Sequence, residues 1–373
     1  MEMNKTGLND ADDRRAALMQ RSDTVVFSGD GEPQTPSSLI DRLQSLLSDG
    51  KLQTDYYSLG GSVEALERRV AEELGKEAAI WMPTGTLANH LALRRHSGGK
   101  SRVVLQEQSH VYHDEGDALA RLSSLSAIAL APGRPYFTVE ELQLALKQSI
   151  DGRVLNPVGV VSIESPVRRQ AGQVVPWDEM RAITDLCREE GVPVHLDGAR
   201  LYMMSAATGV GIKDYADLFD SVYLSMYKYF GSPFGAVLAG RREFIDGMFH
   251  ERRMFGSGMS SAYLIAGLAL DGIDGFEERY QEAFEKAKSL FAEINSLHGV
   301  EIRQFEHGSN IFELRINPET DVEHFVGKLM DDGIVLTWPN SNWPKPLLHV
   351  NTTLLRRSNA EITAAFSGAI TSL

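Results

Sequence analysis

Residues 192–200, Val-Pro-Val-His-Leu-Asp-Gly-Ala-Arg, form the stretch that decides the fold. Its middle, 194–197, predicts a short buried strand that ends on the acid Asp197. Apolar runs of similar length alternate with helical patterns through most of the chain. This alternation predicts a mostly parallel sheet with helices on both faces. Because ligands bind outside the carboxyl ends of the strands in such sheets, we expect Asp197 at a ligand crevice.

The pattern predicts a large α/β domain followed by a smaller α+β domain. Helix signals include an N-cap at Ser62, a stop at Gly75 and a capping box formed by Thr138 and Glu141. We predict a polar N-terminal arm at 1–24, the large domain at 25–250 and the small C-terminal domain at 251–373. The predicted strands of the large domain are 78–82, 102–105, 158–163, 194–197 and 221–225, and those of the small domain are 301–305, 311–316, 334–336 and 347–351.

Composition excludes several classes of protein. The 373 residues include 37 Lys and Arg against 51 Asp and Glu, so the net charge is −14, which disfavours binding to nucleic acid. Cys187 is the single cysteine, so no intrachain disulfide is possible. We expect no transmembrane helix, no signal peptide and no metal site. A cytoplasmic enzyme with a small-molecule substrate is the prediction.

The first chemical motif is Thr84-Gly85-Thr86, which lies between a predicted strand and a helix. Free N–H groups at a helix start bind anions, and glycine lets the backbone approach a ligand closely. An ordinary turn with a threonine cap explains the same pattern.

The second motif joins Asp197 with Arg200, three residues further on. The carboxylate has three possible roles: metal ligand, base, or partner of a cationic ring nitrogen. The arginine fits an anion clamp or a salt bridge. A helix cap with a surface ion pair is the alternative, and His195 is interpreted as a buried structural histidine.

The third motif is Lys228, which stands among aromatic residues just after an apolar strand. A buried lysine has a lowered pKa, and its neutral amine forms Schiff bases with aldehydes. A solvated surface charge is the alternative for any single lysine. Taken together, an anion-binding turn, a strand-end acid and this lysine are the parts that hold pyridoxal 5′-phosphate (PLP).

Three blocks of sequence carry a family resemblance: 73–93 (ELGKEAAIWMPTGTLANHLAL), 192–210 (VPVHLDGARLYMMSAATGV) and 220–240 (DSVYLSMYKYFGSPFGAVLAG). Here the chain resembles the threonine aldolase/β-eliminating lyase family of PLP-dependent enzymes. The resemblance implies the PLP-dependent transferase-like fold, aspartate aminotransferase fold type I. It also implies an amino-acid substrate and a homodimer or homotetramer, with Tyr56 and Tyr57 as cross-subunit contributors.

The resemblance assigns roles to individual residues. Lys228 carries PLP covalently, and Asp197 pairs with the ring nitrogen. The turn formed by Thr84, Gly85 and Thr86 holds the phosphate, and His110 stacks on the ring. Arg200 lies near the cofactor and the substrate carboxylate, and Ser28, preferred over Ser22, reaches the substrate.

The sequence also departs from the family pattern around the substrate. Leu348 stands where the family has a carboxylate-binding arginine, which leaves Arg168 and Arg169 as candidates. A second histidine of the family's aldolases is absent near Val154. Residues 58–61 replace a Gly-Glu-Asp-Pro segment, and His90 replaces a commoner glutamine.

The resemblance implies aldol cleavage of a β-hydroxy-α-amino acid to glycine and an aldehyde. His110, or a water molecule that it positions, is a candidate for the base near neutral pH. Three alternatives stay open at this stage: β-elimination or racemisation with the same cofactor, a catalytically silent PLP-binding protein, and a nicotinamide-dependent oxidoreductase. The last ranks lowest because no G-x-G-x-x-G fingerprint follows an early strand.

Overall fold

The computed structural model describes residues 13–317, 320–336 and 346–371. The chain divides into two compact units. The larger unit comprises Leu43–Asp274 and Glu306–Ser309, and the smaller unit comprises the described residues of Met1–Arg42, Gly275–Phe305 and Asn310–Leu373. None of the helices in these described ranges combines the length and the apolar character needed to cross a bilayer.

A seven-stranded sheet forms the centre of the larger unit, in the order β2-β8-β7-β6-β5-β3-β4. β8 pairs antiparallel with both of its neighbours, and all other neighbouring pairs in this sheet are parallel. The prediction of a mostly parallel α/β sheet is confirmed. The strands are β2 (Ala78–Met82), β3 (Arg102–Gln106), β4 (Ser126–Leu130), β5 (Val158–Glu164), β6 (Val194–Asp197), β7 (Ser221–Ser225) and β8 (Ala236–Gly240).

Helices pack on this sheet because its central strands are apolar on both faces. β5, β6 and β7 are buried along their whole length, which is typical of parallel strands covered on both sides, and the antiparallel β8 is equally buried. The helices of this unit, apart from the one at Pro36–Ser48 that spans the unit boundary, are Gly61–Leu74, Gly85–Ser97, His110–His113, Ala118–Ser123, Val139–Ile150, Trp177–Glu189, Leu201–Thr208, Ile212–Asp217, Arg242–Ile245, Met248–Met254 and Tyr263–Ile273.

Strand register places three polar side chains side by side. Glu164 at the end of β5 pairs with Asp197 at the end of β6, and Asp197 pairs with Tyr223 in β7. Since these three strands are parallel, the row lies at the edge where a doubly wound sheet binds its ligands.

The smaller unit contains a parallel pair of β1 (Val25–Phe27) with β11 (Ile334–Leu336), and an antiparallel sheet in the order β12-β10-β9. The sheet strands are β9 (Val300–Gln304), β10 (Ile311–Ile316) and β12 (Leu347–His349). Phe27, Phe291 and Phe366 pack together at its centre. Its remaining helices are Phe276–Ile294, Val322–Asp331 and Asn359–Thr371.

The units group the chain differently from the predicted limits 1–24, 25–250 and 251–373, which stay a prediction. Residues 13–19, within the predicted arm, are helical, and Leu18 packs against Val26 and Val335. The helix Tyr263–Ile273 belongs to the larger unit. Residues 1–12 lie outside the described residues.

Local signals were mostly read correctly. The Thr138–Glu141 capping box forms with both of its hydrogen bonds, and Gly75 ends its helix in the left-handed conformation. The predicted N-cap at Ser62 is wrong, because the helix begins at Gly61 with Gly60 as its cap. The Ser62 hydroxyl instead accepts a hydrogen bond from the N–H of Gln53.

Candidate active site

A cavity of about 300 Å³ lies at the carboxyl ends of the parallel strands of the larger unit. The residues predicted for the cofactor all reach it. Its lining comprises Pro83, Thr84, Gly85, Thr86, Asn89, His110, Glu164, Asp197, Ala199, Arg200, Tyr223, Tyr227, Lys228, Pro233 and Phe234.

The Thr84–Thr86 turn opens the helix Gly85–Ser97 at the cavity wall. Thr84 caps the helix by accepting a hydrogen bond from the N–H of Leu87 at 3.2 Å. The N–H groups of Gly85 and Thr86 lie in the first helical turn and have no acceptor within the helix. A Cβ on Gly85 would lie 2.0 Å from the Tyr223 hydroxyl, so only glycine fits this close approach.

Asp197 is held by two hydrogen bonds and is 3% exposed. Its Oδ1 accepts from the N–H of Ala199 at 3.2 Å, and its Oδ2 accepts from Asn89 Nδ2 at 2.8 Å. Two fixed contacts leave the carboxylate little rotational freedom at the cavity wall. This geometry suits a permanent partner for a cationic ring nitrogen.

His110 is the first residue of its helix, and its Nδ1 lies 3.0 Å from Glu115 Oε1. This hydrogen bond and the nearby carboxylates of Asp197 and Glu164 raise the pKa of His110, although partial burial opposes the shift. Burial raises the pKa of Glu115, whose Oε2 is buried without a hydrogen-bond partner. Asn89 Nδ2 also donates to Glu115 Oε1 at 3.0 Å.

Glu164 supports His110 from the backbone side. Its Oε2 accepts from the N–H of His110 at 2.6 Å, and its Oε1 accepts from the N–H of Arg168 at 2.8 Å. Burial, reinforced by the charge of Asp197, raises the pKa of Glu164 to about 7. Gln106 fixes the strand end by donating to the Glu164 carbonyl and accepting from its N–H.

Lys228 enters the cavity from the loop between β7 and β8. Its Nζ lies 5.9 Å from the ring centre of Tyr223 and 5.7 Å from that of Tyr227, within cation–π range. Arg200 is 7% exposed and lines the same cavity three residues after Asp197. The cavity lining therefore contains one amine and one guanidinium beside the two carboxylates of Glu164 and Asp197.

These residues fit PLP. The cavity combines the unpaired helix-start N–H groups of Gly85 and Thr86, an oriented carboxylate at Asp197, the imidazole of His110 and the amine of Lys228. They match the phosphate, ring nitrogen, ring face and aldehyde of that molecule, respectively. Among the described residues, no cluster of three or more His, Cys, Asp or Glu side chains is arranged to hold a metal ion.

Other residues considered from sequence lie elsewhere. Ser28 belongs to the smaller unit, where its hydroxyl accepts a hydrogen bond from Arg15, and its role with substrate stays a prediction. Arg168 and Arg169 are exposed and do not line the cavity, and Leu348 is fully buried. Val154 is 71% exposed.

Two further departures from the family pattern lie outside the cavity lining. His90 is buried and bonds Ser123 through its Nε2. In the 58–61 segment, the hydroxyl of Ser58 donates to the carbonyl of Met259.

Sequence reasoning missed Asn89, Glu115, Glu164 and Tyr223. Asn89 stands four residues after Gly85 on the same helix, so helical spacing was an available signal for a shared face. No local signal connects Asn89 with Asp197, which are 108 positions apart.

Comparisons with known proteins agree with this geometry. A low-specificity L-threonine aldolase from Candida albicans is 30% identical over 282 residues, covering 74% of this chain and 74% of that protein. A candidate L-allo-threonine aldolase from Listeria monocytogenes has a solved structure that is 26% identical, with a TM-score of 0.77 over 95% of this chain and 99% of that one. A candidate aromatic amino acid β-eliminating lyase/threonine aldolase from an Exiguobacterium species shares the fold at a TM-score of 0.79. It is 24% identical, over 96% of this chain and 100% of that one.

The fold and the cavity together define a fold-type-I enzyme, the class of the PLP-dependent transferase-like proteins, as the sequence predicts. A family profile described as beta-eliminating lyase matches residues 47–317. The chain belongs to this family, and the predicted lyase class is confirmed. One solved structure of this fold, 16% identical with a TM-score of 0.66 over 93% of this chain and 87% of that one, contains PLP as an internal aldimine.

Proposed function

We propose that this protein is a PLP-dependent aldolase that cleaves a β-hydroxy-α-amino acid of the threonine type into glycine and an aldehyde. One observation carries the proposal: Lys228, Asp197, His110 and the Thr84–Thr86 turn line the same cavity. The L-threonine aldolase named above supports the choice of substrate class.

PLP, when bound, supplies an aldehyde for the substrate amine and a cationic ring that takes up the electron pair of the broken Cα–Cβ bond. The protein's own residues provide the setting. Lys228 holds the aldehyde between turnovers, and Asp197 keeps the ring nitrogen protonated. The helix start at Gly85 and Thr86, with Thr84, holds the phosphate.

His110 is the proposed group for proton transfer at the substrate hydroxyl, directly or through a water molecule. Glu115 engages Nδ1 of His110, which leaves Nε2 as the nitrogen for the cavity. Because the pKa of His110 is raised, the neutral imidazole that accepts a proton becomes abundant only on the alkaline side of its usual range.

Arg200 is the proposed anchor of the substrate carboxylate. Leu348, at the position of the family's arginine, is buried and apolar. Arg200 is the arginine that lines the cavity, and guanidinium groups bind carboxylates in a two-pronged geometry.

β-Elimination or racemisation is the second candidate function. Val154, where the aldolases of the family place a second histidine, is an exposed apolar residue. A reaction that needs no deprotonation of a hydroxyl group does not need that histidine.

The test is to incubate the purified protein with threonine, allo-threonine, phenylserine, cysteine and alanine, and to assay glycine, aldehyde, pyruvate and chirality. Glycine with aldehyde supports the proposal, whereas pyruvate or a racemised amino acid supports the second candidate. Lys228→Ala should lose the visible absorbance that borohydride abolishes. Lys76→Ala, at another half-buried lysine that lies outside this cavity, should retain it.

We further propose that the active form is a homodimer or homotetramer in the cytoplasm. The family resemblance supports the assembly, and the single buried cysteine, Cys187, fits a reducing compartment.

A further inference from the structure

A buried chain of hydrogen bonds runs from the cavity wall to the far end of the helix Gly85–Ser97. Asn89 Oδ1 lies 3.1 Å from His195 Nε2, and His195 Nδ1 lies 2.8 Å from Ser221 Oγ. The same hydroxyl lies 2.8 Å from His96 Nε2. Asn89, His195 and Ser221 are each at most 1% exposed, so water does not compete for these contacts.

The chemistry of the groups decides which atom donates in each hydrogen bond of this series. The amide nitrogen of Asn89 faces Asp197 and Glu115, because carboxylates accept hydrogen bonds. The amide oxygen therefore faces His195 and can only accept, so the proton of His195 must be on Nε2. A neutral imidazole then accepts at Nδ1, which makes Ser221 the donor there. The single hydroxyl proton of Ser221 is thus committed, and His96 must donate to its oxygen.

We propose that His195 is a positioning residue, whose Nε2–H fixes the amide of Asn89 and, through it, aims the carboxylate of Asp197 at the cofactor's ring nitrogen. The inference rests on the proposed function. Without the His195 donor, the oxygen of the Asn89 amide is no longer held, and the amide can swing away from Asp197. Asp197 then keeps only its bond from the Ala199 N–H, which leaves Oδ2 free to turn away from the cavity.

The burial of His195 and His96 is consistent with a neutral His195. Burial lowers the pKa of His195 to about 3 and that of His96 to about 4. His96 also stacks on Phe244, with ring centres 4.1 Å apart, which fixes the outer end of the chain.

The experiment compares three variants as holoenzymes, each rebuilt with ¹⁵N-labelled PLP. In His195→Leu we expect about tenfold weaker PLP binding, the scale of one lost buried hydrogen bond, and a ¹⁵N resonance shifted towards neutral pyridine. His195→Gln, whose amide can still donate to Asn89, should stay within about threefold of wild type. His90→Leu removes another buried histidine of similar size and should leave the resonance unmoved.

An unchanged ring resonance in folded His195→Leu, or an equal change in His90→Leu, would overturn this inference and leave the proposed function unaffected. If His195→Leu does not fold, ¹⁵N-histidine NMR of the wild type decides: a proton on Nε2 of His195 supports the chain, and one on Nδ1 refutes it. A wild-type protein that binds no PLP would overturn the proposed function, and this inference with it.

Discussion

At the scale of single residues, two acidic side chains of the site share one hydrogen-bond donor. Asn89 donates to both Glu115 and Asp197, and Glu115 also holds His110. A change at Glu115 therefore acts directly on the imidazole of His110 and on the amide of Asn89.

We predict that Glu115→Gln moves the acidic limb of the pH profile of kcat/KM to lower pH. The hydrogen bond to Glu115 is the largest cause of the raised pKa of His110, and a neutral amide stabilises the imidazolium less. His110 therefore reaches its neutral, proton-accepting form at lower pH. The measurement is the steady-state rate across pH 5–9.

The matched control is Glu107→Gln, since Glu107 lies 3.8 Å from His113 at the other end of the same short helix. That variant should leave the acidic limb in place. A limb that stays fixed in Glu115→Gln, or that moves to higher pH, would contradict the assignment of His110 as the base.

We also predict that His195 makes folding sensitive to acid. Its pKa is about 3 in the folded protein, whereas an unfolded histidine titrates near 6.5. Below about pH 6.5, His195 binds a proton in the unfolded chain but not in the folded chain, so the stability of the fold decreases as the pH falls. Between pH 7 and 5, wild type should lose about 2 kcal/mol more than His195→Gln.

Urea denaturation at both pH values measures this difference. His298→Gln, a change at an exposed histidine, serves as the control and should follow wild type. If wild type and His195→Gln lose equal free energy of unfolding between pH 7 and 5, His195 is protonated in the folded state.

At the scale of elements, the helix Gly85–Ser97 and β7 meet in a close junction at Gly85. We predict that Gly85→Ala destabilises the protein by about 1–3 kcal/mol, as overpacking does. The new Cβ would lie 2.0 Å from the hydroxyl oxygen of Tyr223 and 2.4 Å from its Cζ. In the Gly85→Ala variant, adding Tyr223→Phe removes only the hydroxyl and should therefore not restore stability. Adding Tyr223→Ala should restore part of it.

Equilibrium unfolding in urea tests this prediction. Gly327→Ala is the control, because this glycine lies within the helix Val322–Asp331 and its Cβ would meet nothing within 4 Å. That variant should gain up to about 1 kcal/mol from helix propensity. A rescue by Tyr223→Phe would show that the ring moves aside easily.

Element prediction from sequence succeeded where burial is symmetric. β6 and β7 were predicted with their exact limits, because continuous apolar runs between turn residues mark strands buried on both faces. β4 was missed because it is an edge strand whose residues are exposed or half-buried, so its pattern lacks a buried run. β8 was also missed as a strand, although its five residues are all buried.

The sequence predicted the site residues that a neighbouring strand marks. It did not predict those whose role depends on contacts between distant positions. Asp197 ends β6 and Lys228 follows β7, so the topology of the sheet brings them together. The carboxylate partners of Asn89 are 26 and 108 positions away and come from the turn after a short helix and from a strand end. No spacing rule predicts such contacts before the sheet order is known.

At the scale of the whole molecule, one exposed cluster needs an explanation. Tyr56 is 73% exposed, Tyr57 40% and Leu59 47%, and the two tyrosine rings contact each other edge to face. Adjacent exposed aromatic residues of this kind mark interaction surfaces. The cluster is where the sequence predicts cross-subunit contact.

We predict that light scattering gives the wild type two or four times the chain mass of 41.2 kDa. Tyr56→Glu should lower the assembly state because it buries a charge at the contact. Leu144→Glu, at a residue 55% exposed on the helix Val139–Ile150, should leave the mass unchanged. A monomeric wild type would refute the proposed assembly.

The reversed direction of β8 limits how far Lys228 can travel. Ser225 pairs directly with Ala236, and the N–H of Met226 donates to the carbonyl of Gly235 at 3.0 Å. The segment 226–235 is thus tied at both ends to neighbouring strands. We therefore expect the amine to move by rotation about its own side-chain bonds. Turnover that depends on this swing should be indifferent to solvent viscosity, unlike that of enzymes that wait for a flap to open.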